Sequence, residues 1–193
     1  MLESLITSKT RVKLLLRLFL NSKNTAYLRG LEKEFGESTN AIRVELNRFI
    51  DAGLLTSVYT EKNTRVYKAN TEHPLYSNIN GMLRKTVGID KIVDKVTTQI
   101  GNLESAYVIG KFAAGTDSDT IELALIGENL DKVYINSLVK KAEKLINRKI
   151  MHLNLTKVQM GHFFNNRPAL LIWQKDELSE IRKAKKKTES IQH

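Results

Sequence analysis

The chain has 193 residues, 41% hydrophobic and 27% charged, and carries a formal net charge of +10 with no cysteine. That length suits two small domains or one of ordinary size, while the absence of cysteine excludes a disulfide framework and thiolate metal sites and suits a reducing cytoplasm. The basic balance favours polyanionic partners, because lysine and arginine near phosphates release condensed counterions, but charge alone does not separate DNA from RNA or an anionic membrane.

The run from Leu5 to Leu20 is interrupted by Lys9, Arg11, Lys13 and Arg17, which excludes a signal-peptide core and a membrane span, so a soluble cytoplasmic protein without a membrane partner is expected. Ser8 or Thr10 can cap a first helix in which Val12, Leu15, Leu16 and Phe19 recur at three- and four-residue intervals, ending at Asn21 to Asn24. A second helix is predicted from about Ala26 to Phe35, stopped by Gly36. Ser38 or Thr39 then caps a third, which leads through Ala52 and Gly53 to Leu55. The strand-like runs Thr56 to Thr60 and Thr64 to Ala69 follow, joined by Glu61, Lys62 and Asn63 as a hairpin.

Pro74 is predicted to open a helix running to about Val87, with Gly88 as its stop, and another helical pattern spans Asp90 to Ile100. The periodicity then changes. Ala106 to Ile109 and Ile121 to Ile126 are strand-length apolar runs, Asp131 or Asn136 begins a helix to Arg148, Lys149 to Leu155 alternates, and Ala169 to Trp173 is a final strand. From Asp176 onward a basic tail with Arg182, Lys183, Lys185, Lys186 and Lys187 adds nonspecific phosphate attraction. His73, His152, His162 and His193 are scattered without the spacing of a helical metal motif, so no metal or other cofactor is expected.

In the third helix Ile42, Leu46, Phe49 and Ile50 turn inward together, which places Thr39, Asn40, Arg43, Val44 and Asn47 on the opposite side. Arg43 can grip guanine bidentately, Asn40 or Asn47 can do so with adenine, and Thr39 and Val44 offer a thymine-methyl or phosphate contact. Arg48 joins this DNA-binding set, and Lys62 and Arg65 flank the hairpin turn, where a wing meets phosphate or minor groove. Residues 1–88 hold fourteen basic against eight acidic side chains, a balance suited to phosphate contact. The short connection Gly36-Glu37-Ser38 matches a helix-turn-helix, and the hairpin makes it a winged one.

Through Ile42, Leu46, Phe49, the exit Ala52-Gly53-Leu54-Leu55 and the hairpin, residues 5–70 resemble winged-helix transcriptional regulators of the arsenic-repressor type. The resemblance implies major-groove reading by the third helix. It does not extend to metal sensing, since the cysteines or clustered histidines and carboxylates of the metal-sensing members are missing.

Ala106-Tyr107-Val108-Ile109-Gly110-Lys111-Phe112-Ala113-Ala114-Gly115, followed by Asp119-Thr120-Ile121-Glu122-Leu123, resembles the core of a minimal nucleotidyltransferase domain. In that family a strand ends in Gly-Ser, a small-residue turn with a further glycine follows, and a second strand carries two carboxylates that hold divalent metal against nucleotide phosphates. Here Lys111 replaces the serine, Glu122 falls at the second carboxylate and Thr120 at the first. Asp119 and Glu122 lie on opposite faces of an extended strand, Asp117 and Asp119 precede it, and Lys149 to Leu155 supplies no carboxylate. The resemblance therefore implies a vestigial nucleotide site at Gly110, Lys111, Asp119 and Glu122. Mg2+ and a nucleoside triphosphate would be required only if activity survived. His152 and Asn154 share one strand face, which would be the old active-site face in the family register, and Phe163, Phe164 and Trp173 read as core or subunit-contact residues.

The expected fold class is α+β and multidomain: a winged helix-turn-helix over residues 1–72, a linker helix over 73–89, a small α/β nucleotidyltransferase-like domain over 90–175 and the basic tail over 176–193. The expected function is sequence-specific binding of double-stranded DNA in transcription regulation by a homodimer, with the first helix and the Pro74 to Val87 helix as dimer elements. The second domain is expected to be inactive and to serve packing, dimerisation or sensing of an unidentified small ligand or protein partner. The alternatives are an active nucleotidyltransferase, including an antitoxin-type protein-modifying enzyme, and a protein-interaction module.

Overall fold

The computed structural model describes residues 6–165 and 167–175; the expected basic tail over 176–193 lies outside the described residues. The chain forms α1 (Lys9–Phe19), β1 (Thr25–Tyr27), α2 (Leu28–Phe35), α3 (Thr39–Asp51), β2 (Leu55–Tyr59), β3 (Arg65–Ala69), α4 (Tyr76–Val87) and α5 (Ile89–Lys95). After a 3-10 turn at Thr97–Gln99 come β4 (Leu103–Ile109), α6 (Gly110–Ala113), β5 (Thr120–Gly127), α7 (Lys132–Ile146), β6 (Lys149–Leu155), α8 (Lys157–Phe163) and β7 (Ala169–Gln174). The architecture is mixed α/β with two sheets: an antiparallel one ordered β1-β3-β2 and a four-stranded one ordered β6-β5-β4-β7, in which β5 and β6 run parallel.

The predicted second helix begins two residues later than expected, because Thr25, Ala26 and Tyr27 alternate exposed, buried, exposed and pair with Lys68, Tyr67 and Val66 of β3. Pro74 does not start α4. The His73 carbonyl accepts from Tyr76 N at 2.9 Å and the His73 ring from Leu75 N at 3.1 Å, so a tight turn precedes the helix. The segment Asp90 to Ile100 is not one helix: Val96 departs to φ −116°, and the Thr97 and Thr98 hydroxyls donate back to the Val93 and Asp94 carbonyls. Helix α8 was not anticipated, although its start carries a capping box, Thr156 with Gln159.

Helix α1 is central. Val12, Leu14, Leu15, Leu16, Leu18 and Phe19 are all buried, so its apolar residues are consumed within the chain rather than left for a second copy. Phe19 meets Phe49 of α3 edge-on and stacks on Tyr76 of α4, while the Asn80 amide donates to the Phe19 carbonyl at 2.7 Å and the Leu20 carbonyl at 3.1 Å, closing the helix end. One apolar cluster continues from these residues through Leu83, Ile89 and Ile92 to Leu103, Leu123, Leu125 and Ile172 of the second sheet and Leu138 of α7, with Trp173 packed against it. The opposite face of that sheet holds a smaller cluster, Ile109, Ala124 and Ile126, against which Phe163 and Phe164 pack.

The two sheet-bearing halves also meet through polar groups. The side-chain amides of Asn21 and Asn24 both donate to the Ala113 carbonyl at 3.1 Å, Asn21 reaches the Ala169 carbonyl at 3.4 Å, and Thr116 donates to Glu34 at 2.9 Å. Among the described residues, no helix is long and apolar enough to cross a membrane.

Candidate nucleic-acid interface

Helix α3 is built from its cap upward. The Ser38 hydroxyl accepts from Ala41 N at 3.2 Å, and Ile42, Leu46 and Phe49 recur on the inward face and are buried. Full burial of one such side chain contributes about 1.5–3 kcal/mol, which pins the rotation of the helix about its axis. Asn40, Arg43, Val44, Asn47 and Arg48 are consequently exposed and Thr39 is half-buried at the first turn.

Glu45 departs from the simple pattern. It sits beside the apolar stripe and is buried, accepting from Arg11 Nε at 2.9 Å, Ser8 Oγ at 3.1 Å and Arg48 Nη1 at 3.0 Å. Arg48 is therefore tethered at its base to Glu45, although its side chain remains 60% exposed. A second ionic contact fixes the turn before α3: Glu37 accepts from Lys13 Nζ at 2.6 Å and from the Thr10 hydroxyl, and Lys13 also reaches the Phe35 carbonyl at 2.9 Å. Helix α1 thus grips both the turn and the flank of α3.

Burial, the largest single influence, pushes the Glu45 carboxyl up. Hydrogen bonds from Arg11 and Ser8 and the charges of Arg11 and Arg48 together outweigh it and hold the group below its ordinary value of 4.5. Glu37 is held down in the same sense: burial opposes, and Lys13 and Thr10 prevail. A carboxyl depressed in the folded state stabilises fully above its unfolded pKa, and that contribution is lost as pH falls through the folded value. Stability is thus expected to fall as pH drops below 4.5, and Glu45→Gln to flatten this decline in urea titrations across pH; a decline as steep as wild type would remove Glu45 as its source. At neutral pH Glu45→Ala is expected to cost about 2 kcal/mol, since Arg11 loses its buried partner.

In the β2–β3 hairpin, Thr60 N donates to the Thr64 carbonyl at 3.0 Å and Asn63 N to the Thr60 carbonyl at 2.9 Å, with Asn63 at φ 52°. Lys62 is exposed at the tip. Arg65 instead lies along the hairpin, donating to Ser57 Oγ at 2.9 Å with its guanidinium 5.1 Å from the Tyr67 ring centroid. A cleft of about 560 Å3 separates the hairpin from the start of α2 and is lined by Tyr27, Arg29, Lys62 and Arg65 among others. Arg29 was missed in the sequence because β1, the strand that sets the start of α2 beside the hairpin, was absorbed into a helix; at three residues, Thr25 to Tyr27, it is too short for alternation to announce it.

The second sheet brings Gly110 and Glu122 together. Ile109 pairs with Glu122, Gly110 adopts φ 63°, and a Cβ on Gly110 would fall 2.1 Å from Glu122 Oε1, so the carboxylate lies over the glycine. Lys111 is exposed in the first turn of the short α6, and Asp119 lies elsewhere, in a surface cleft with Lys140, Lys144 and Arg148. Asp117 is paired with Arg148 at 2.8 Å. His152 and Asn154 do share a face, their Nδ1 and Oδ1 atoms 3.2 Å apart, but it is not the face of Glu122. Parallel pairing aligns His152 with Leu123 and Asn154 with Leu125 on the α7 side, where His152 Nε2 meets Asn136 Oδ1 at 2.9 Å; Met151 is the residue aligned with Glu122. Among the described residues, no three of His, Asp and Glu gather into a metal-binding group.

No protein-family description and no curated protein matches the chain. Among solved structures, a crystal structure of the toxin-antitoxin MntA-HpeT is 16% identical, covers 54% of this chain and 87% of its own and has a TM-score of 0.38. A putative nucleotidyltransferase from Sulfolobus solfataricus is 19% identical over 52% of this chain and 90% of its own, with a TM-score of 0.36. The transcriptional regulator BldR, also from Sulfolobus solfataricus, is 14% identical over 51% of this chain and 70% of its own, with a TM-score of 0.34.

Proposed function

We propose that the chain is a double-stranded-DNA-binding transcriptional regulator. In this reading residues 1–72 form a winged helix-turn-helix in which α3 enters the major groove and the β2–β3 hairpin is the wing, and the residues beyond the 73–89 linker form a nucleotidyltransferase-like domain that packs and regulates. The observation that supports it most is the outer face of α3: among the described residues, the side chains of Thr39, Asn40, Arg43 and Asn47 make no hydrogen bond or ion pair, on a helix whose other side is locked into the core. Groups able to read base edges are thus held ready and unspent. Arg29, Lys62 and Arg65 around the neighbouring cleft supply phosphate contacts.

The decisive experiment is selection of bound genomic fragments by the full chain beside Arg43→Ala, which yields the operator and its half-site spacing; failure of the unsubstituted chain to bind any duplex in a salt-dependent way would overturn the reading. Lys62→Ala is expected to weaken specific and random duplexes alike and to reduce the salt slope by about 1, measured by fluorescence anisotropy. A homodimer fits, because one recognition helix contacts few bases and paired helices one DNA turn apart read more. Sedimentation of the chain alone and on its operator tests this.

The carboxylate of Glu122 over Gly110 favours a second reading, in which this face still handles a nucleotide with Mg2+. A lone carboxylate binds a divalent ion weakly, so no label is expected to pass from ATP to any acceptor when the chain is incubated with magnesium and labelled ATP. Transfer that disappears in Glu122→Gln would instead establish the enzyme.

A further inference from the structure

A cleft of about 810 Å3 opens between the connection from α1 to β1 and the β4–β7 side of the second sheet. Neither Gly110 nor Glu122 lines it. Its volume falls within the range of small-molecule sites, and its two walls differ in chemistry.

The α1–β1 side is polar, and a cation lines each side of the cleft. Lys23 is exposed and, among the described residues, makes no side-chain hydrogen bond or ion pair; Arg167 has no carboxylate partner among them, its guanidinium lying 4.7 Å from the Phe163 ring centroid. Arg17 also lines the cleft but is neutralised by Glu34 at 3.0 Å. Asn24, only 8% exposed, commits its amide hydrogens to the Arg17 and Ala113 carbonyls, and its Oδ1 accepts from no group among the described residues. Among the described residues, no acidic side chain lines the cleft. The β4–β7 side, Arg167 apart, is apolar and aromatic: Tyr107 and Phe164 are half-buried with ring centroids 4.7 Å apart, and Leu170 and Leu171 continue the surface. Cations with no local counter-charge select an anion, and half-exposed rings select a planar group.

We propose that this cleft binds a small anion carrying a planar ring, with a mononucleotide as the representative chemistry, and that its occupation regulates DNA binding. The route is short. Thr25 lines the cleft and begins β1, which pairs through Thr25 with Lys68 of β3, one strand of the hairpin. A ligand bridging the walls also spans the seam at which Asn21 and Asn24 tie the α1–β1 connection to Ala113 and Ala169. The regulatory half rests on the DNA-binding reading; ligand binding itself does not.

The test is isothermal titration of the full chain with AMP, adenosine, inorganic phosphate and salicylate. AMP is expected to saturate at one site, adenosine and phosphate to bind at least about tenfold more weakly, Lys23→Ala and Arg167→Ala each to weaken AMP by about tenfold, and Lys140→Ala, in a separate cleft, to leave it unchanged. Tighter binding of salicylate than of AMP also supports the site and assigns its anion to a carboxylate. Absence of saturable binding by every probe to chain of normal melting temperature overturns the proposal, as does AMP binding indifferent to both Lys23→Ala and Arg167→Ala. The best-binding probe, at saturation, is expected to shift duplex affinity at least about fivefold, and an unchanged affinity overturns the regulatory half. The titrations contain no DNA, so their failure leaves the DNA reading standing, and failure of the ligand-free chain to bind duplex leaves the cleft standing.

Discussion

Arg43→Ala is expected to weaken binding to the selected operator by about 3 kcal/mol, roughly 150-fold, while random duplex loses far less. Arg43 is exposed one turn into α3, and Ile42 beside it is fully buried, so the backbone that aims the arginine cannot rotate away. A guanidinium presented in that way can place two donors on guanine O6 and N7, and its removal both loses those bonds and leaves the base edge unmatched. Anisotropy titrations on operator and random duplexes at one salt concentration check this. Equal losses on the two would reassign Arg43 to phosphate. At the operator, the preference should relax at a single base pair rather than across the half-site.

Gly115→Ala is expected to destabilise the fold by roughly 3 kcal/mol and to lower the melting temperature by roughly 10 °C. Gly115 has φ 84°, and a Cβ there would stand 2.4 Å from Arg17 Cα and 2.6 Å from the Arg17 carbonyl oxygen. Those are backbone atoms of α1, so relief requires separating the helix from the loop after α6. Gly36 gives the matching control: it has φ 65°, but a Cβ would meet nothing within 4 Å. Gly36→Ala should therefore cost only about 1 kcal/mol, the conformational part alone. Equal melting temperatures for the two variants would show that the seam between α1 and the α6 loop yields readily.

The exposed face of α3 was legible because Ile42, Leu46 and Phe49 recur with the helical period over thirteen residues and Ser38 caps the start. The hairpin was legible from its two alternating runs. β1 was not, since three residues carry too little periodicity and their partners on β3 lie about forty positions downstream. Glu45 escaped for a different reason: a carboxylate next to the apolar stripe reads as solvent-facing, and only the packing of Ser8 and Arg11 from α1 makes its burial affordable. The side occupied by His152 was likewise undetermined, because period-two alternation says which residues share a face but not which face points to α7; the register against β5 decides that. The Lys23 cleft had no sequence signature, as its walls come from segments more than eighty residues apart.

The amides of Asn21 and Asn24 converge on Ala113, and Asn21 also reaches Ala169 at the start of β7, the strand that completes the second sheet beside β4. During vectorial synthesis the α1–β1 connection leaves the ribosome some 150 residues before its last partner exists. Until then two side chains destined for burial stay hydrated, and β4 presents an unpaired edge. Helices α1 to α3 can therefore assemble early, but the arrangement in which α1 grips α3 and the second sheet together is reached only after translation has passed β7, which makes the nascent chain's interval before that point its most exposed to aggregation and to chaperone capture.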